Sequence, residues 1–151
     1  MKSAIISVGT ELLFGQVVNT NAAYLSQELN DMGVDVLYHY TMGDNPGRLK
    51  RVLEFAMQNC DLFLITGGLG PTEDDLTKET LCEFLGEGLV VHEPTVKDME
   101  SFFERVQMKM TENNMKQALV PEHAAVFRNQ NGTAPGFAIE KEGRIFICMP
   151  G

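Results

Sequence analysis

The sequence has no tryptophan, only three cysteines and no long uncharged apolar run. A membrane-spanning helix needs about 18 or more such residues in succession, so the composition argues against a membrane protein. The first apolar run, residues 4–9, is too short for a signal peptide, and a cytoplasmic location is therefore expected. Cys60, Cys82 and Cys148 lack zinc-site spacing and lie in apolar segments, which predicts reduced core thiols.

Basic residues are also scarce. The chain has 12 Lys and Arg against 21 Asp and Glu, a net charge of −9. Nucleic-acid binding depends on clustered cations that neutralise phosphates, so this balance argues against DNA and RNA as partners. A small anionic ligand stays compatible with it if backbone N–H groups or a metal ion offset the ligand's charge.

The length and apolar content suit one compact domain. With 151 residues and 44% hydrophobic side chains, the chain can bury a single core. We expect one domain over residues 1–151. Because Met149-Pro150-Gly151 resembles the opening of a further loop, we also expect this domain to be truncated at its C-terminal end.

The first half alternates apolar runs and helical patterns. Short apolar runs at 4–9, about 34–42 and 60–66 predict buried strands. Helices are predicted behind Asn19 or Asn21, behind Asp44 or Asn45, and from Thr72 onward. This β-α-β-α-β-α order predicts a three-layer α/β/α sandwich with a mainly parallel, mixed sheet.

The second half has a different pattern. An apolar stripe predicts one long helix over about 94–112, with Met99 on its core face. Residues 125–127 follow as a short apolar run, and 137–139 and 144–148 predict a hairpin around Glu142-Gly143.

Four loops should meet at the carboxyl edge of such a sheet, where ligands of open parallel sheets bind. They cover residues 9–21, 42–45, 66–75 and 129–136. In the third loop Gly67, Gly68 and Gly70 allow backbone amides to approach an anion closely. It is neither a Walker A loop nor a dinucleotide fingerprint, which argues against ordinary NTPase and NAD chemistry.

Acidic residues follow these glycines directly. Glu73, Asp74 and Asp75 would repel a bound phosphate unless a divalent cation lay between them, so phosphate binding here implies a metal such as Mg²⁺. The alternative is purely structural: Thr72 as the N-cap, with Asp75 completing a capping box. The residues alone leave both interpretations open.

Structural alternatives stay open for the other loops as well. Asn131-Gly132 is also typical of a plain turn, Asp44-Asn45-Pro46 of a helix start, and Asn19-Thr20-Asn21 of simple capping. Lys78 and Arg48 could meet ligand phosphates or remain on the solvated surface.

Four motifs together carry a resemblance to a known family. They are SVGTELL at 7–13 with Asn19-Thr20-Asn21, Gly43-Asp44-Asn45, TGGLGPTEDD at 66–75, and NGTAPG at 131–136. In this order, and over essentially the whole chain, they resemble the N-terminal domain of CinA, the competence/damage-inducible protein family. The resemblance implies the fold of molybdopterin-binding proteins such as MogA and MoaB.

The resemblance also implies an activity and a set of site residues. It implies divalent-metal-dependent (Mg, Mn or Co) hydrolysis of ADP-ribose to AMP and ribose 5-phosphate, with Asp44, Asp74 and Asp75 catalytic and Asp74 and Asp75 holding the metal. The expected ligand-binding residues lie in all four loops and the following helix: Gly9, Thr10, Glu11, Asn19, Asn21, Gly67, Gly68, Gly70, Thr72, Lys78, Asn131, Gly132 and Thr133.

Two further hypotheses belong beside this one. The domain could bind molybdopterin or a related pterin without turnover, or serve as an assembly module. With 9 Met and 9 Phe, apolar side chains suffice for a homo-oligomer, a dimer or trimer. The family's amidohydrolase domain is absent from these residues, so deamidation is not expected.

Overall fold

A computed structural model describes all residues, 1–151, and contains eight strands and six helices. The strands are β1 (Lys2–Val8), β2 (Asp35–Met42), β3 (Leu62–Thr66), β4 (Leu89–Val91), β5 (Leu119–Pro121), β6 (Ala125–Phe127), β7 (Gly136–Lys141) and β8 (Arg144–Met149). The helices are α1 (Thr10–Leu13), α2 (Thr20–Asp31), α3 (Pro46–Ala56), α4 (Thr77–Leu85), α5 (Glu93–Arg105) and α6 (Glu112–Ala118).

Six strands form one mixed sheet in the order β2-β1-β3-β8-β7-β6. The pairs β1–β2, β1–β3 and β3–β8 are parallel, whereas β7 runs antiparallel to β8 and β6 antiparallel to β7. The expected mainly parallel α/β sandwich is confirmed, and so is the hairpin at Glu142-Gly143. The strands β4 and β5 form a separate antiparallel pair that the sequence patterns did not predict.

Helices cover both faces of the sheet. On one face α3 and α4 contribute Leu49, Leu53 and Leu81 to a core of 17 buried residues. On the other face α2 contributes Ala22 and Leu29 to a core of five. Burial on both faces explains why the central strands are continuous apolar runs rather than alternating ones.

An aromatic pair joins two neighbouring parallel strands within the larger core. Phe63 of β3 and Phe146 of β8 are register partners, and their rings stack with centroids 4.7 Å apart. Both side chains are fully buried. Such a pair contributes about 1 kcal/mol beyond its area burial and holds β8 beside β3.

Local capping signals explain two helix starts. The side chains of Asn19 and Asn45 accept hydrogen bonds from the backbone N–H groups of Ala22 and Arg48, respectively. These bonds satisfy donors that the first helical turn leaves without partners. The predictions for the starts of α2 and α3 are therefore confirmed.

Two helix predictions are wrong. Helix α4 begins at Thr77 rather than Thr72. The predicted helix over 94–112 ends at Arg105, beyond which Gln107 has a left-handed backbone (φ 55°). A second helix, α6, then starts behind Thr111, whose backbone and hydroxyl both donate to the Asn114 side chain.

The three cysteines are free and buried, as predicted. Burial raises the pKa of the Cys82 thiol to about 11 and also raises that of Cys148. Separately, no helix combines the length and the apolar character that crossing a lipid bilayer requires.

Candidate functional site

The carboxyl ends of four parallel strands lie along one edge of the sheet. The register pairs Ser7 with Thr66, Val8 with Met42, and Thr66 with Met149. The segments after these strands therefore meet, as the topology predicts. They enclose an open cavity of ≈ 750 Å³, which we call the strand-end cavity.

Most residues that line this cavity come from three of the predicted loops. The lining consists of Val8, Gly9, Glu11, Leu12, Val17, Val18, Asn19, Thr20, Asn21, Asp44, Thr66, Gly67, Gly68, Leu69, Gly70, Thr72, Asp74, Asp75, Ala134, Pro150 and Gly151.

The turn after β3 cannot carry side chains. Gly67 and Gly68 both have positive φ angles, 89° and 68°. A Cβ on Gly67 would lie 2.0 Å from the Val8 carbonyl oxygen, and one on Gly68 would lie 2.0 Å from Thr77 Oγ1. Glycine is therefore required here for both conformation and space, and the turn presents its main chain to the cavity.

Residues 72–75 form a turn of their own. One oxygen of the Asp75 carboxylate, Oδ2, accepts hydrogen bonds from Thr72 N at 3.0 Å and from Thr72 Oγ1 at 2.5 Å. The capping-box interpretation is wrong for this reason: the Asp75 side chain closes the turn, and the N-cap of α4 is Leu76, which makes no side-chain capping bond. A Cβ on Gly70 would lie 2.5 Å from Asp75 Oδ2, so the carboxylate occupies the space above this glycine.

Asp44 follows β2 and also lines the cavity. Its Oδ2 accepts a hydrogen bond from Thr10 Oγ1 at 3.0 Å, which leaves Oδ1 without a partner in the protein. Thr10 does not line the cavity, and its hydroxyl orients Asp44 instead. Glu11 is exposed and folds over Gly9, since a Cβ there would lie 2.5 Å from Glu11 Oε1.

Asn19 is held by two hydrogen bonds at the edge of the cavity. Its Nδ2 donates to Ser7 Oγ at 2.8 Å, and its Oδ1 caps α2. The capping interpretation is thus confirmed for Asn19, and ligand contact by Asn19 or Asn21 stays a prediction.

Besides Thr10, four predicted ligand-binding residues do not line the strand-end cavity. Lys78 is 5% exposed, and its ammonium donates to the Lys116 carbonyl instead of facing the cavity. Burial lowers the Lys78 pKa. Asn131, Gly132 and Thr133 line a second cavity of ≈ 520 Å³, which shares Ala134, Pro150 and Gly151 with the first.

The strand-end cavity has an acidic lining. Glu11, Asp44, Asp74 and Asp75 line it, and no lysine or arginine does. No three His, Cys, Asp or Glu side chains are grouped closely enough to hold a metal ion by themselves. The predicted metal ligands Asp74 and Asp75 both line the cavity, as does Asp44. Two such carboxylates, completed by ligand phosphates and water, match the way in which proteins commonly hold Mg²⁺.

Sequence patterns missed several residues of this site. Pro150 and Gly151 follow β8. The predicted hairpin could have indicated their position, because it brings β8 parallel to β3 and so places the end of β8 at the same edge of the sheet. Lys116 was missed altogether: its ammonium donates to the carbonyl oxygens of Thr72, at 2.8 Å, and of Asp75. Bonds to main-chain carbonyls leave no side-chain pattern in a sequence.

The chain resembles a described protein family. The profile of a family described as "Probable molybdopterin binding domain" matches residues 4–151. A relative from Acetivibrio thermocellus, named as a competence-damage inducible protein, is 54% identical over all 151 residues. A CinA-like protein from Dictyoglomus turgidum is 52% identical over the same length. The chain spans 37% of the length of both relatives.

Solved structures give the same result for the fold. The chain superposes on the crystal structure of the protein CinA from Thermoplasma acidophilum with a TM-score of 0.90 at 30% identity, covering 100% of this chain and 89% of that one. MoaB from Thermus thermophilus superposes with a TM-score of 0.64 at 19% identity, covering 99% and 80%.

Proposed function

The chain belongs to the molybdopterin-binding domain family, in its CinA branch, and from this premise we propose that it hydrolyses the pyrophosphate of ADP-ribose with a divalent cation. One observation carries the proposal. A glycine turn without side chains and carboxylates from two loops line the same cavity, and no basic side chain accompanies them.

Charge decides how such a cavity can hold a pyrophosphate. Close carboxylates repel phosphate oxygens, whereas backbone N–H groups contribute only partial positive charges. When bound, a divalent cation would offset the remaining negative charge and polarise a phosphoryl oxygen. Asp74 and Asp75 are the residues that would hold it. The N–H groups of Gly68, Leu69 and Gly70 would receive the phosphate oxygens, because the Gly67 N–H already donates to the Met149 carbonyl oxygen at 3.0 Å.

Asp44 is also placed to orient the attacking water. The Thr10 hydroxyl fixes the direction of its carboxylate and leaves Oδ1 to accept a proton from water. The water oxygen then bonds to one phosphorus, the bridging P–O bond breaks, and the products are AMP and ribose 5-phosphate. Asp75, with one oxygen held by Thr72, keeps the turn closed over Gly70.

The test measures release of both products from ADP-ribose with Mg²⁺, Mn²⁺ or Co²⁺, and with EDTA in place of metal. We expect turnover only with a divalent ion. Asp74→Asn should reduce it about 100-fold because a metal-holding carboxylate is lost. Glu73→Gln is the matched control, since this exposed neighbour does not line the cavity, and its turnover should stay at the wild-type level.

Metal-independent turnover, or no turnover with any of the three ions, would contradict the proposal.

A second candidate function is binding of molybdopterin or a related pterin without turnover. The family description and the lack of a ready three-ligand metal cluster favour it. This candidate predicts saturable pterin binding that EDTA leaves unchanged, together with no AMP release.

A further inference from the structure

Two lysines that do not line the strand-end cavity brace the turn that carries Asp74 and Asp75. Lys116, on α6, reaches back across 41 residues of sequence to donate to the Asp75 carbonyl oxygen. The same ammonium donates to the Thr72 carbonyl oxygen at 2.8 Å. One side chain therefore donates hydrogen bonds to both ends of the four-residue turn.

Lys78 in turn holds Lys116. Its buried ammonium donates to the Lys116 carbonyl oxygen at 2.6 Å. A buried ammonium must be hydrogen-bonded to be tolerated, so this contact is a fixed part of the interior. The chain of contacts runs from the first turn of α4, through the main chain of α6, to the carbonyls of residues 72 and 75.

Hydrogen bonds from several groups close the turn. On the cavity side the Asp75 carboxylate accepts from Thr72, and within the turn Asp75 N donates to the Thr72 carbonyl oxygen at 3.2 Å. In addition, the Lys116 ammonium donates to the carbonyl oxygens of Thr72 and Asp75. Its positive charge also lies close to an acidic segment, with Glu79 Oε1 at 4.0 Å.

We propose that Lys116 is a positioning residue that sets the placement of the Asp74 and Asp75 carboxylates in the strand-end cavity. The proposal rests on the hydrolysis proposed above, because it assigns Lys116 a part in that reaction without contact to substrate. Catalytic groups displaced by about 1 Å can lose about 100-fold in rate, so a residue that fixes this turn acts on turnover.

Another lysine supplies the matched control. Lys50 of α3 contacts Glu83 near the other end of α4, at 2.8 Å, in a partly exposed ion pair. Its removal perturbs α4 without touching the turn. Lys50→Met should therefore leave both turnover and turn dynamics unchanged, whereas Lys116→Met should change both.

The first measurement needs no substrate. Amide hydrogen exchange, followed by NMR, should accelerate about tenfold at Thr72 and Asp75 in Lys116→Met, as expected for the loss of about one charged hydrogen bond. Amides of β3 should be unaffected. Lys116→Arg should restore part of the protection, since a guanidinium can also donate to two carbonyls. Unchanged exchange at both residues would overturn the proposal.

The second measurement is steady-state hydrolysis of ADP-ribose with Mn²⁺. Lys116→Met should lower kcat and kcat/KM together by about 10- to 100-fold, with KM nearly constant, because the displaced Asp74 and Asp75 carboxylates no longer stabilise the transition state. If the wild-type protein hydrolyses ADP-ribose, an unchanged kcat in Lys116→Met would overturn the proposal. If the wild-type protein itself gives no product, the hydrolysis proposal fails and the exchange result alone decides the role of Lys116.

A second variant covers the case in which Lys116→Met does not fold. Lys78→Met conserves much of the buried volume but removes the bond to the Lys116 carbonyl. Exchange at the Thr72 and Asp75 amides should again accelerate, by less than in Lys116→Met. Exchange at the wild-type rate in Lys78→Met, where the wild-type turn exchanges slowly, would count against the proposal.

Discussion

Two cavities of this molecule differ in the charged residues that line them, since only one of the two linings contains arginine. The strand-end cavity has four carboxylates and no basic residue in its lining. A smaller cavity of ≈ 310 Å³, between α5 and residues 128–135, contains Arg105 and Arg128, and we call it the arginine cavity. Positive side chains would suggest the arginine cavity as the phosphate site.

The contacts of the two arginines argue against that choice. Arg128 pairs with Asp98 at 2.8 Å, and the Arg105 guanidinium lies 5.5 Å from the centre of the Phe102 ring. In the strand-end cavity, by contrast, the glycine turn has no side chains and Asp44 Oδ1 is unpartnered. The comparison shows that the N–H groups of Gly68, Leu69 and Gly70 have no hydrogen-bond partner in the protein, whereas both arginines are already engaged.

Replacing one charged residue in each cavity should give the largest difference in the rate of ADP-ribose hydrolysis. Asp75→Asn should reduce ADP-ribose hydrolysis about 100-fold, because the carboxylate that closes the turn loses its charge. Arg128→Gln in the arginine cavity should leave the rate unchanged. Initial rates of AMP release with Mn²⁺ decide this, and a greater loss in Arg128→Gln would reverse the comparison.

A pair of glycines tests whether steric crowding, in addition to the positive φ angle, requires glycine in the turn after β3. Gly68 and Gly86 have nearly equal φ angles, 68° and 67°, but only at Gly68 would a Cβ meet other atoms. Gly86→Ala should cost about 1 kcal/mol for the left-handed backbone, and Gly68→Ala about 3 kcal/mol because overpacking adds to it. Urea denaturation measures both free energies of unfolding, and equal losses would contradict the crowding argument.

A substitution in the loop that borders the arginine cavity should reduce hydrolysis less. The Asn129 side chain donates to the Ala134 carbonyl oxygen and accepts from Asn131 N, both at 2.9 Å. Asn129→Ala should cost about 1 to 2 kcal/mol of stability, as expected for two partly exposed hydrogen bonds. Hydrolysis rates should fall less than in Asp75→Asn, and a greater fall would indicate that this loop contacts the reacting groups.

The smallest effect on hydrolysis should come from the pair of exposed His123 and largely buried Glu87, neither of which lines the strand-end cavity. Hydrogen bonding to Glu87 raises the pKa of His123, and the Glu87 pKa is lowered first by its bond from Lys141 and then by that from His123. The His123 contribution to stability is therefore complete below its unfolded pKa of about 6.5 and is lost as pH rises through the higher folded value. In Glu87→Gln, an NMR titration should show the His123 pKa falling, while one that stays high would assign the shift to other charges.

Much of the fold could be predicted because its signals are local. Asn19 and Asn45 sit at helix starts whose N–H groups need acceptors, and buried parallel strands must be apolar on both faces. The three-residue strands β4 and β5 give too short a pattern to detect. The helix start at Thr72 was mistaken because Asp75, three residues on, can cap a helix or close a separate turn with the same atoms.

The site could be predicted in part for a similar reason. Parallel strands end at one edge, so the glycine turn, Asp44 and Asp74 had to lie near one another. Lys78 was misplaced because a sequence does not show whether a lysine on a helix points outward or is buried against another helix. The metal, the substrate, the homo-oligomer and the cytoplasmic location stay predictions.

Alkylation of the buried thiols can report how often this protein unfolds. Only a thiolate attacks an alkylating reagent, and burial both shields Cys82 and Cys148 and disfavours their ionisation. Iodoacetamide should thus modify these positions only when the chain opens globally. A cysteine introduced on an exposed loop would then be labelled far faster, so a fluorophore could be attached there without removing any native sulfur atom.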